Sequence, residues 1–456
     1  MPELIRPSAS PSPTLGGALV PPEITPEVAE SSAAMLTRVD LGFTSGTCNP
    51  AVRDVDGDGL DEIAVPFNRG EEDVLALFRG DGSLVWETTD APFYHAVYDD
   101  DHLYERSHWH YACRHRHLLT EIVDIDGDGE LEVVVGLGPI HILDAATGAL
   151  KRTIDLDGLA MIWALANLRP GAPPVIVAAV DHHRERGTVV AVDGLGEIHW
   201  QHETDGMSYE DFMFAGDLTG DGIDEIAFSM RTTERFEVRD AAGEVLWHKH
   251  VPSEIGEDTH VDCVMIGEFL KGGRQLVTST GGCMLDAEGN LLWTLRDRIE
   301  HGQHLLRIDA PERGEPLIYL NSKTERYAWG VDPRGEIVWE QRDFSRREPD
   351  GRITLTSACD NVSWSEPGAA EVVQAEIYIP HDRQNLPVPD GSPLTLYLTV
   401  MDADGHIVAR LPYEDVLEPG FNGAMCAVAC HAVTPDRSDI LMLAHNSGEM
   451  LIFSPE

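Results

Sequence analysis

The sequence predicts an all-β fold, an eight-bladed β-propeller, on three observations. A unit made of an aspartate, a glycine turn and an apolar strand recurs seven times. An acidic, glycine-punctuated loop recurs three times. Several short strand signals separate successive copies, at a period typical of propeller blades.

The seven turn units read GDGSLVWE, DAATGALKR, DGLGEIHW, DAAGEVLW, DAEGNLLW, DPRGEIVW and DADGHIVA. Their glycines are Gly82, Gly148, Gly196, Gly243, Gly289, Gly335 and Gly405, spaced mostly by 46 to 48 residues, with two longer spacings of 66 and 70 that mark insertions. After Gly405 three more strand signals follow, AMCAVACHAV, DILMLAH and EMLIF. A sheet of three would leave an open edge, which invites aggregation. The stretch AAMLTRVDLG at 33–42 can supply the outer strand, so the last of the eight blades is expected to be shared between the two ends of the chain. Residues 1–32, rich in Pro, Ser and Ala, read as an irregular arm. Residues 33–456 read as one propeller domain with an insertion at 91–117.

Bulk composition narrows the function classes. A formal charge of −46 disfavours nucleic acid and anionic membranes as partners. No apolar run approaches the roughly 18 residues of a membrane span. The opening MPELIRPSASPSPTLGG lacks the basic start and apolar stretch of a secretory signal, so a cytoplasmic location is expected, or secretion if a leader has been removed. Seven cysteines without a CxxC pair suit a reducing compartment.

The acidic loops are DVDGDGLDEI at 54–63, DIDGDGELEV at 124–133 and DLTGDGIDEI at 217–226, each followed by an apolar strand. Carboxylates at positions 1, 3, 5 and 9 with a backbone carbonyl at 7 can surround a hard cation. The first loop offers Asp54, Asp56, Asp58, the Leu60 carbonyl and Glu62. The second offers Asp124, Asp126, Asp128, the Glu130 carbonyl and Glu132. The third offers Asp217, Thr219, Asp221, the Ile223 carbonyl and Glu225. The bland reading is that aspartate and glycine simply make turns. These DxDGDGxDE loops resemble the calcium-binding repeats of integrin-type propellers (FG-GAP repeats), from about residue 40 onward; the resemblance implies the fold and bound calcium, and leaves activity open.

In a propeller, the loops leading into each innermost strand and those joining the second strand to the third converge on one mouth of the central channel, the default ligand site. Placed there by the repeats are Arg69, His115, His117, His183, Arg184, Tyr209, Arg231 and His260. His301, His304, Asn321 and His445 join them. The insertion carries HWHYACRHRH at 108–117, in which His108, His110, Cys113, His115 and His117 could present ligands to zinc, although the spacing fits no standard zinc pattern.

A rim of imidazoles, phenols and guanidiniums suits an anionic oligo- or polysaccharide. For a uronate the expected chemistry is β-elimination: a cation neutralises the carboxylate, a base removes the adjacent carbon-bound proton and an acid protonates the leaving oxygen. This palette resembles the propeller-fold polysaccharide lyases that cleave rhamnogalacturonan, ulvan or rhamnose–glucuronate linkages; the resemblance implies a reaction class and assigns no residue. By placement, His115, His117, Tyr209 and His260 are expected to carry protons. Arg184 and Arg231 are expected to hold the carboxylate, with Arg69, His183, His304, Asn321 and His445 binding the sugar. The alternative is a non-catalytic, lectin-like or adhesive calcium-binding propeller. A hydrolase is disfavoured because paired carboxylates are not evident at the mouth. No glycine-rich phosphate fingerprint suggests a redox cofactor.

Overall fold

In the computed structural model of the 456-residue chain, the residues described are 34–42, 45–47, 50–69, 72–92, 120–136, 139–157, 160–180, 186–205, 212–230, 233–256, 258–299, 301–322, 327–342, 353–379, 393–416, 426–434, 437–444 and 448–455. They form an all-β propeller of antiparallel sheets. Residues 1–32 and nearly all of the 91–117 insertion lie outside them.

Seven blades are each drawn from a single stretch of chain. Blade one runs from Ser45–Thr47 and Ala51–Arg53 to Leu84–Thr88, and blade two from Thr120–Val123 to Leu150–Ile154. Blades three and four begin at Ala160–Ala166 and Phe212–Gly216. Blades five, six and seven begin at Val264–Gly267, Gly302–Ile308 and Ile353–Val362. A further sheet has a different make: Cys426–Thr434, Arg437–Ala444 and Glu449–Pro455 accept Ala34–Asp40 as outer strand, from Ala34 opposite Pro455 to Asp40 opposite Glu449.

The first strands of successive blades pack against one another around the channel. The middle strands are buried along their length, as in Val175–Val180 and Glu225–Met230, because each face meets a neighbouring blade. That explains their continuous apolar sequence in place of alternation. Outer strands such as Val245–His250 stay largely exposed. The core accordingly sits between blades. One cluster joins Ile140 and Val134 of blade two to Trp163 and Ile176 of blade three. Another joins Met284 and Trp293 of blade five to Ile318 and Trp329 of blade six.

The repeated glycine and tryptophan belong to one interblade latch. Trp86, Trp200, Trp247, Trp293 and Trp339, each in the outer strand of one blade, donate their indole N–H to Ala145, Ala241, Ala287, Pro333 and Ala403 in the outer turn of the next, at 2.8 to 3.0 Å. Each ring lies against the glycine of that turn; a Cβ on Gly289 would come within 2.7 Å of Trp247. Gly289 also has φ +78°, a conformation that side chains disfavour. At Gly82 the described residues bring no tryptophan, and the strand Ala34–Asp40 packs there through Val39 and Thr37. At Gly196 the neighbour is Ile154, because blade two carries Lys-Arg-Thr where blade one and blades three to six carry tryptophan.

Trp293 is fully buried, so Trp293→Ala is expected to cost about 3–5 kcal/mol. Trp293→Phe, which loses mainly the indole hydrogen bond, should cost about 1–2 kcal/mol. Chemical denaturation of the two variants checks this ordering.

Candidate functional site

Strict antiparallel alternation separates two mouths. Loops between the first and second strands, including all three acidic loops, lie at one end, together with the glycine turns. Segments leading into first strands, and those joining second to third strands, lie at the other.

The acidic loops are tightly organised by their own backbone. Asp54 accepts the Gly57 and Gly59 N–H groups at 2.7 and 2.9 Å, and Asp124 and Asp217 repeat the pattern at Gly127 and Gly129 and at Gly220 and Gly222. Glu62, Glu132 and Glu225 are buried and accept the N–H of Val55, Ile125 and Leu218. Burial raises the pKa of all three carboxyls against those hydrogen bonds. Asp58, Asp128 and Asp221 likewise accept the N–H of Leu60, Glu130 and Ile223. Asp56 accepts that of Asp58. In the third loop Thr219 bonds Glu225, and Arg274 of blade five reaches Asp217 at 3.6 Å.

The second loop differs. Lys151, from the outer strand of the same blade, sets its ammonium 3.1 Å from both Asp126 and Asp128 and 2.6 Å from Glu132. Glu132 in particular raises the lysine's pKa, and the lysine in turn offsets part of the rise that burial imposes on Glu132. The first and fourth blades carry Val85 and Leu246 at the corresponding strand position.

At the opposite mouth the structure gathers a group of which the sequence showed only one half. The segment leading into blade five reads Asp258-Thr-His260-Val-Asp262, and the segment leading into blade six reads His301-Gly-Gln303. His260 Nδ1 faces Asp258 at 3.3 Å and its Nε2 faces Asp262 at 3.2 Å. His301 Nδ1 is bonded to the other oxygen of Asp258, and its Nε2 lies 3.2 Å from the other oxygen of Asp262. Two imidazoles and two carboxylates thus close a ring between two blades. The Gln303 amide caps it, 2.8 Å from Asp262 and 2.6 Å from His301 Nε2.

Local backbone fixes this arrangement. The Val261 N–H donates to Ser229 of blade four, and the Cys263 N–H donates to Ser279. On the other side Gly302 presses against Ser279; a Cβ there would sit 2.1 Å from the Ser279 carbonyl oxygen, so only glycine lets His301 come this close. Ser322 donates to the His301 carbonyl at 3.0 Å.

His260 is 5% exposed. Burial opposes its protonation, yet the flanking Asp258 and Asp262 outweigh burial and raise its pKa to about 9. Burial likewise works against ionisation of Asp258, and the two histidines overcome it, holding that carboxyl well below the usual carboxylate range. The expectation that the mouth lacks paired carboxylates is therefore corrected: Asp258 and Asp262 are such a pair. Asp258 is held ionised, so it does not supply the protonated acid a glycosidase needs. Nearby Cys283 is inert, its thiol pushed up to about 11 by burial and donated to the Ile255 carbonyl.

The remaining expected residues divide clearly. His304 and Asn321 meet each other in blade six, where the His304 N–H donates to the Asn321 amide oxygen at 3.1 Å. Arg69 is taken up in blade one by Glu87, at 3.2 Å through both nitrogens, and by the Leu41 carbonyl. His108, His110, Cys113, His115, His117, His183, Arg184, Tyr209, Arg231 and His445 lie outside the described residues. Asp258, Asp262 and Gln303 were missed by sequence reasoning. The available signal was an aspartate two residues either side of a histidine, Asp-x-His-x-Asp, which only the neighbouring blade completes.

No protein-family model matches the chain, and no curated protein matches it by sequence. Solved structures share its fold. Sqt1 from Chaetomium thermophilum is 11% identical with a TM-score of 0.57, covering 92% of this chain and 100% of that one. Quinohemoprotein alcohol dehydrogenase from Comamonas testosteroni is 13% identical with a TM-score of 0.54, covering 94% and 77%. BamB from Moraxella catarrhalis is 13% identical with a TM-score of 0.50, covering 92% and 98%. At these identities the likeness shows the β-propeller and nothing of activity. It adds nothing to the integrin-type or lyase resemblance.

Lys151→Met should destabilise the metal-free protein by about 1–3 kcal/mol, allowing for the lysine's partial exposure, because buried Glu132 loses its counter-charge. Val85→Met at the matching position should change stability by less than about 0.5 kcal/mol. Denaturant midpoints of the two variants provide the comparison.

Proposed function

We propose that the mouth carrying Asp258, His260, Asp262 and His301 is the working face of an eight-bladed ring, and that it cleaves a uronate-containing glycan by β-elimination. The observation that supports this is the closed His–Asp network itself: a buried, charged group at the channel mouth where a ligand pocket is expected. In this reading the sheet shared by both ends of the chain is the eighth blade, its outer strand packed onto Gly82 through Val39 and Thr37.

The reaction removes the proton on the carbon bearing the carboxylate, forms a carbon–carbon double bond and breaks the bond to the leaving oxygen, which takes up a proton. His260 is locked between two carboxylates, so we assign proton transfer to His115, His117 and Tyr209, and carboxylate binding to Arg184 and Arg231. The sugar contacts fall to His183, His304, Asn321 and His445. The His260 network supplies fixed charge at the mouth. At the far mouth we assign calcium to the first and third acidic loops as a brace, whereas Lys151 competes for the same oxygens in the second. Zinc at the 108–117 cluster would pin the insertion.

Incubation with a panel of uronate glycans should produce the ultraviolet absorbance of an unsaturated uronate. His117→Ala and Arg231→Ala should each lower turnover by about 100-fold or more. Retention of glycans without turnover would replace this reading by the lectin-like one, and neither retention nor turnover would reject both. Calcium should raise the melting temperature of chelator-treated protein, as linkage requires for an ion that binds the folded chain; an unchanged midpoint removes calcium from the account.

A further inference from the structure

The geometry points to a divalent transition-metal site formed by His260 Nε2, His301 Nε2 and the Asp262 carboxylate, with Asp258 as the outer carboxylate that orients both rings. One donor atom from each of His260, His301 and Asp262 lies within 4.8 Å of the other two. His260 Nε2 is 3.2 Å from one Asp262 oxygen and His301 Nε2 is 3.2 Å from the other. Around an ion bound tetrahedrally at about 2.0–2.1 Å, neighbouring donors stand about 3.3–3.4 Å apart, so each imidazole already stands at a ligating distance from Asp262, whose carboxylate needs only to turn one oxygen toward both rings.

The outer contacts strengthen the case. Metal-binding histidines present one nitrogen to the ion and donate the other N–H to a carboxylate or carbonyl. Asp258 does this for both rings at once, one oxygen on each Nδ1. In His260 a metal would displace the proton that Nε2 shares with Asp262, and in His301 the contact with Asp258 leaves the Nε2 lone pair on the side of Asp262 and Gln303. The Gln303 amide, 2.6 Å from His301 Nε2, now holds that lone pair and would turn to the open side when a metal takes it.

Two nitrogens and one carboxylate suit zinc, iron(II) or cobalt(II) better than the all-oxygen preference of calcium or magnesium. Three protein ligands also leave a coordination position open. His301 and Asp258 remain partly exposed, so that position faces the mouth and would accept water or an anionic oxygen. Resting on the glycan reading, such an ion would neutralise the uronate carboxylate; the binding of metal itself stands apart from that reading.

The test uses the full chain stripped with a chelator and titrated with zinc by calorimetry and with cobalt(II) by visible absorption. Wild type should take up zinc tightly and show cobalt bands of a nitrogen–oxygen site. His301→Gln should lose about one equivalent and those bands, and Asp258→Asn should bind about 10- to 100-fold more weakly with the bands retained. A His108→Ala/His110→Ala variant should keep the equivalent that His301→Gln loses. Far-ultraviolet circular dichroism confirms folding. Equal zinc uptake by wild type, His301→Gln and Asp258→Asn, or no uptake by wild type, overturns the proposal. Metal uptake without cleavage of any glycan would leave this site standing and reject the lyase.

Discussion

The architecture depends on one repeated contact, an indole ring laid against the glycine turn of the following blade with its N–H bonded to a carbonyl of that turn. It combines apolar burial with satisfaction of a polar atom that would otherwise be stranded. Because each blade grips only the next, the contact sets the order of blades around the channel. The strand Ala34–Asp40 covers the outer turn at Gly82 with the methyl groups of Val39 and Thr37 alone, where no tryptophan among the described residues reaches.

Ring order then decides which distant segments meet. Asp258, His260 and Asp262 lead into one blade and His301 and Gln303 into the next, and the latch between Trp293 and Gly335 joins those same two blades. Serine side chains and a glycine with no room for a Cβ hold the two segments in contact. The two mouths consequently differ in chemistry. One carries carboxylates folded back on their own backbone N–H groups, and the other carries carboxylates committed to imidazoles.

The parts legible in the sequence are those that repeat. Aspartate, glycine and tryptophan recur because every blade needs the same turn and latch, and the strand at 34–40 was legible from an incomplete last unit. The His260 group was half legible, since its partners come from neighbouring blades and nothing in either segment alone signals the other. Lys151 was overlooked because it lies about twenty residues beyond the acidic loop it contacts, at a position where the other two blades with acidic loops carry valine and leucine. Arg69 looked like a free cation for a ligand until Glu87, from the outer strand of the same blade, was seen to take both its nitrogens.

The most direct measurement is a crystal structure of the zinc-soaked protein with anomalous data collected at the zinc edge. The account predicts a peak bonded to His260 Nε2, His301 Nε2 and Asp262, about 2.0–2.2 Å from each, with Asp258 still on both Nδ1 atoms. An intact ring of histidines and aspartates with no peak among them, at a zinc concentration that occupies any other site, would contradict it.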